Sequence, residues 1–112
     1  MSEPVHSFNV QIVTNGDMSG NITSIRTDID EVVSYAIQAK FTGSPVGTLK
    51  LQGSNDLAIL GYTDITDTIT AISGSGTYLV NVELPCYSYV QLVYTATSGS
   101  GTLNAFINSK RR

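Results

Sequence analysis

The chain writes one turn twice in the same letters. Ser73-Gly74-Ser75-Gly76-Thr77 leads into Tyr78-Leu79-Val80-Asn81-Val82, and Ser98-Gly99-Ser100-Gly101-Thr102 leads into Leu103-Asn104-Ala105-Phe106-Ile107. A looser third version, Thr42-Gly43-Ser44-Pro45-Val46-Gly47-Thr48, precedes Leu49-Lys50-Leu51-Gln52. Each supplies glycines that accept positive φ, then a threonine, then apolar residues at alternate positions. That is how a chain reverses between antiparallel strands. The turns carry no chemistry of their own. Neither exact copy is followed by Lys and a helix, as a phosphate cradle requires, and neither joins a strand to a helix, as a nucleophile elbow does.

The same period of two recurs along the sequence. Phe8, Val10 and Ile12 mark a first strand, and Thr14-Asn15-Gly16-Asp17 follows as a hairpin signal. Asn21 to Arg26 reads as a second strand, broken by Thr27-Asp28-Ile29-Asp30. From Glu31 to Phe41, Val33, Tyr35, Ile37, Ala39 and Phe41 point one way and Ser34, Gln38 and Lys40 the other. Leu49 and Leu51 point inward in the next strand, and two short strands are expected between Leu60 and Ile72. Tyr78, Val80, Val82 and Leu84 alternate up to Pro85, which cannot donate to a central ladder. Val90, Leu92, Tyr94 and Ala96 form one face of the next strand, with Tyr89, Gln91, Val93 and Thr95 on the other; Leu103, Ala105 and Ile107 face inward in the last. About eight strands at this spacing predict an all-β, antiparallel β-sandwich.

At 112 residues the chain is expected to form one domain over residues 1–112, with frayed ends at 1–6 and 109–112. Only 13% of residues are charged, about half the usual ~25%. The net charge of −3 and the scatter of Arg26, Lys40 and Lys50 give no basic stripe for nucleic acid, and Lys110-Arg111-Arg112 reads as a solvated end. No apolar run approaches the ~20 residues of a membrane span, so no membrane partner is expected. The N-terminus has neither the basic nor the apolar region of a signal peptide, which places folding in a cytoplasm.

Catalytic chemistry finds little support. The single Cys86 lies far in sequence from the one histidine, His6, and reads as a buried thiol. Asp28, Asp30 and Glu31, and the scatter of Asp56, Asp64 and Asp67, contain carboxylates a hard cation could use, but they lack an EF-hand frame and suit Asx turns. No metal, cofactor or catalytic residue is assigned. Six tyrosines, Tyr35, Tyr62, Tyr78, Tyr87, Tyr89 and Tyr94, are more than one small core needs. Some are therefore expected at sandwich margins or at a partner surface.

Two stretches, Tyr35 to Asp56 and Tyr87 to Ala105, resemble small β-sandwich proteins encoded in bacteriophage genomes near virion structural genes. The shared pattern is L-x-L-Q-x-S-N-D, a Trp/Tyr-x-Asp-Ile step filled here by Tyr62-Thr63-Asp64-Ile65, a Gly-Ser-Gly turn, Y-x-Y-V-x-L-x-Y and S-G-x-G-T-L-N. The resemblance implies a jelly-roll or discoidin-like sandwich and a non-enzymatic virion structural protein, either capsid-associated as a decoration or minor capsid protein or a tail or fibre accessory protein, with the capsid-associated role the leading expectation. Such a protein is made in the host cytoplasm and packs with its own copies and other virion proteins. Tyr89, Val93 and Phe106 are the candidate oligomer or shell contact. The alternative is a glycan- or host-surface-binding module of a tail or fibre, using loops at Asn55, Asp56, Tyr62 and Asp64.

Overall fold

A computed structural model describes residues 6–29, 32–55, 62–83, 85 and 87–111. Two antiparallel sheets pack face to face. One has the order β1 (His6–Asp17), β10 (Gly101–Arg111), β4 (Val32–Gly43), β8 (Gly76–Glu83). The other is centred on β9 (Tyr89–Ser98) and β5 (Val46–Ser54). Its flank beside β9 is shared by β2 (Ile22–Thr23) and β3 (Thr27–Asp28), and its flank beside β5 by β6 (Thr63–Asp64) and β7 (Thr70–Ser73). The ten described strands thus fill eight positions, and their order is that of a jelly roll. No helix among the described residues is long and apolar enough to cross a membrane.

Alternation decides what fills the space between the sheets. Tyr35, Ile37, Ala39 and Phe41 of β4 meet Leu49 and Leu51 of β5, Val90, Leu92 and Tyr94 of β9, and Leu103, Ala105 and Ile107 of β10. Four of the six tyrosines pack in or against this core, and the hydroxyls of three of them find partners there. The Tyr35 and Tyr87 hydroxyls lie 2.5 Å apart, and the Tyr78 hydroxyl donates to the Thr68 carbonyl at 2.8 Å. Burial, with the Tyr87 contact adding to it, pushes the Tyr35 phenol far above its ordinary value. Tyr94 is fully buried and its hydroxyl has no partner among the described residues.

The glycine turns are not hairpins within a sheet. Residues 43–46 carry the chain from β4 to β5, 73–76 from β7 to β8, and 98–101 from β9 to β10, each time from one sheet to the other. The first glycine of each copy holds a positive φ: Gly43 at 92°, Gly74 at 86° and Gly99 at 76°. All three turns meet at one end, where Ser44 N–H donates to the Ser100 carbonyl at 2.8 Å and Gly74 N–H to the Pro45 carbonyl at 2.9 Å. Met18 N–H joins them by donating to the Gly101 carbonyl at 2.9 Å.

Several other expectations are corrected. Asn15-Gly16 is not a hairpin: β1 runs on to Asp17, with register shifts between Gln11 and Val13 and between Val13 and Gly16. Asn15, at φ 48°, takes the left-handed conformation that makes such a bulge, and Ile12 and Val13 both turn inward. The reversal comes at Met18–Gly20 instead, where the Asp17 carboxylate accepts the Ser19 N–H at 2.9 Å. A strand over 21–26 shrinks to Ile22–Thr23, because Ser24 Oγ accepts the Leu92 N–H at 2.8 Å and interrupts the ladder; pairing resumes at Thr27–Asp28, where a break was expected. In β4 a register shift beside Lys110 and Arg111 leaves Val33 unpaired, so Val32 rather than Val33 is buried. At the described ends, Arg111 pairs with His6 across β1 and β10, and Ser109 is buried. Leu84 and Cys86 lie outside the described residues.

Candidate functional site

Opposite the glycine turns, the far end of the sandwich opens into a cleft of about 370 Å³. Gly53, Ser54 and Asn55 at the end of β5 line it, together with Thr63, Asp64 and Ile65 from β6 and the residue after it, and Tyr87. Gly53 is required here, because a Cβ at that position would lie 2.9 Å from the Tyr87 ring. Asn55 also positions the wall, its side-chain carbonyl accepting the Ser88 N–H at 2.9 Å.

Beside the cleft, side chains on the outer face of the β9–β5 sheet form a continuous polar ladder. Gln91 Nε2 donates to Gln52 Oε1 at 2.8 Å, Gln52 Nε2 donates to Asp64 Oδ1 at 2.8 Å, and Lys50 Nζ reaches the same carboxylate at 3.1 Å. The hydrogen bond from Gln52, then that from Lys50, holds the Asp64 carboxyl below its ordinary value. A carboxylate stabilised in this way is a poor general acid or base near neutral pH. On the same face the Arg26 guanidinium sits 4.5 Å above the centre of the Tyr89 ring. Burial raises the half-buried Tyr62 phenol, with the charge of Arg26 acting against that rise.

The opposite outer face, on the β1–β10–β4–β8 sheet, is different in kind. One row across all four strands reads Leu79, Gln38, Phe106, Gln11. The next reads Asn81, Ala36, Asn108, Asn9. Neither row contains a charge, and Leu79 is 67% exposed, the most of the exposed large hydrophobic residues.

The expected site residues divide among these places. Tyr89 and Val93 share the ladder face, where Tyr89 is only 8% exposed beneath Arg26. Phe106 lies on the other outer face, so the three do not form one contact patch. Asn55 and Asp64 meet at the cleft, Tyr62 is half buried, and Asp56 lies outside the described residues. Gln52, Gln91 and Leu79 were not singled out in the sequence. Leu79 did carry a signal, as an apolar residue on the polar phase of an alternating strand. The two glutamines carried none, because their partnership depends on cross-strand register. Among the described residues no group of three His, Cys, Asp or Glu could hold a metal ion.

No family model and no curated protein matches the sequence. Solved structures do match in shape. An SPBc2 prophage-derived protein, YomS, superposes with a TM-score of 0.60 over 97% of this chain and 98% of its own, at 9% identity. A structure of the infectious bursal disease virus Gt strain gives 0.64 at 11% identity, over 98% of this chain and 32% of that one. A CBM4 structure gives 0.51 at 13% identity, over 92% of this chain and 70% of that one. What they share with this chain is the fold.

Proposed function

We propose that this chain is a non-enzymatic structural protein of a phage particle, a capsid-associated decoration or minor capsid sandwich that assembles with its own copies and with other virion proteins. The observation that carries the reading is the broad face formed by the Leu79–Gln11 and Asn81–Asn9 rows. These two rows are uncharged and rich in amides, with Leu79 and Phe106 in the first, and they are bordered by Lys40 on one side and by Glu83 and Lys110 on the other. A surface of that composition suits packing against a protein partner more than holding a reactive substrate. The full-length match in shape to a prophage-derived protein supports the setting, as does the match to a viral structure. The charge-poor composition fits a protein made in the host cytoplasm and exposed on a finished particle.

A second reading has its own observation. The cleft at Asn55, Thr63 and Asp64, bordered by the Gln91–Gln52–Asp64 ladder, offers amide, hydroxyl and carboxylate groups in the mixture that sugar hydroxyls bind. In that reading the chain is a glycan- or host-surface-binding module. Size-exclusion chromatography with light scattering, paired with a glycan array, separates the two. The structural reading expects a multimer with no glycan signal. A monomer that binds a glycan, and loses it in Asn55→Ala, would transfer the assignment to the module.

A further inference from the structure

The sandwich has four sheet edges, and three are blunted. On the β9–β5 sheet, β2, β3 and β6 are two residues long and β7 four, too short to template a neighbour. The β6–β7 edge is further closed by a short 3-10 turn at Thr66–Thr68, whose Thr68 Oγ1 accepts the Leu51 N–H at 2.9 Å. On the other sheet, β1 is long but has two register shifts, and its Ile12 carbonyl already accepts the Ile25 N–H at 3.4 Å. Short strands, bulges and covering segments are the devices by which proteins prevent edge-to-edge association.

Among the described residues, β8 has none of them. It pairs with β4 over eight residues from Gly76 to Glu83 with no register shift. It contains no proline or lysine, its only charge is Glu83 at one end, and Leu79 stands exposed near its centre. Among the described residues, β4 is its only strand partner.

We propose that the free edge of β8 pairs antiparallel with β8 of a second copy about a two-fold axis at Leu79. This deepens the assembly reading above and rests on it. The register follows from complementarity. With Leu79 opposite itself, each Thr77 faces the partner copy's asparagine and each Glu83 faces a serine, so the apolar side chains bury each other and no like charges meet. Moving the centre to Val80 would set Leu79 against an amide. The pairing joins two four-stranded sheets into one continuous sheet across an isologous interface, and it continues the uncharged Leu79–Gln11 row of one copy into the same row of the other.

The test is disulfide trapping in the full chain. In a Cys86→Ser background, Leu79→Cys places two thiols at the directly opposed position, where antiparallel Cα atoms lie ~4.5–5.5 Å apart, within disulfide range. Asn81→Cys would separate the pair by four residues of strand, about 13 Å, beyond that range. Diamide oxidation is expected to give a covalent dimer with Leu79→Cys and none with Asn81→Cys. In the native background, Leu79→Lys is expected to halve the mass read by light scattering while the circular dichroism spectrum is unchanged. A multimer that survives Leu79→Lys and does not trap at Leu79 overturns the edge and leaves the assembly reading standing. Trapping at Asn81 but not Leu79 overturns the register, and a wild-type monomer at all concentrations overturns both.

Discussion

Residues 73–77 and 98–102 have the same five letters, and their first glycines have nearly the same conformation, yet they do different work. At Gly99 a Cβ would lie 2.0 Å from the Ser44 carbonyl oxygen, and at Gly101 2.1 Å from that of Thr42. The copy at 73–77 has room: nothing lies within 4 Å of a Cβ on Gly74, and one on Gly76 would make ordinary contact with Phe41 at 3.4 Å. The looser copy sides with the packed one, since a Cβ on Gly47 would lie 2.2 Å from the Thr95 carbonyl oxygen and 2.8 Å from the unpartnered Tyr94 hydroxyl. One motif therefore serves two purposes. In every copy the first glycine sets the backbone, and in two of the three the second lets neighbouring strands of one sheet approach closely, β10 and β4 at Gly101 and β5 and β9 at Gly47. The difference lies in what surrounds each turn.

Alanine substitutions rank the copies. Gly99→Ala combines a left-handed backbone with a backbone clash and is expected to cost about 3 kcal/mol or more. Gly101→Ala and Gly47→Ala carry the clash alone, for about 2 kcal/mol each. Gly74→Ala carries only the backbone penalty of ~1 kcal/mol, and Gly76→Ala stays within about 0.5 kcal/mol of wild type. Urea midpoints at constant m-value read the series. If Gly74→Ala proves as costly as Gly99→Ala, the contrast between open and packed copies is wrong.

A smaller contrast separates Tyr94 from Tyr78, two buried phenols on facing sheets. Tyr78 donates to the Thr68 carbonyl, whereas Tyr94 donates to nothing among the described residues. Tyr78→Phe leaves the Thr68 carbonyl only the long 3.4 Å hydrogen bond from Thr70 Oγ1 and is expected to cost about 1 kcal/mol, while Tyr94→Phe removes an unsatisfied hydroxyl and is expected to be neutral or slightly stabilising. The smallest effect is electrostatic. Asp64 is expected to titrate below its ordinary value of 3.8 by NMR and to move back toward it in Gln52→Ala. Its folded value is lowered, so the stabilisation it adds is present above the unfolded value and lost as pH falls through the folded one.

Much of the fold was legible because alternation is a local property. Leu49, Leu51, Val90, Leu92, Leu103, Ala105 and Ile107 all face inward as their spacing demands. The failures occur where a side chain replaces a ladder bond or a residue is inserted. Ser24 and Thr68 take the place of backbone partners, and the irregularities at Asn15 and Val33 shift the phase by a residue. Asn-Gly favours a left-handed backbone, which serves a bulge as well as a hairpin, and only the strand opposite decides between them. The candidate surfaces were less legible. Tyr89 reads as an exposed aromatic until Arg26, 63 residues away in sequence, covers it. Phe106 and Tyr89 both fall on outward phases, but of different sheets, and strand alternation cannot say which sheet a strand joins.

Quantitative mass spectrometry of gradient-purified particles tests most directly the proposed role of this molecule, packing into a particle. This chain is expected in the particle fraction at many copies, in fixed ratio to the major shell protein. Its absence from the particles, with the protein recovered only in the soluble lysate, would contradict it.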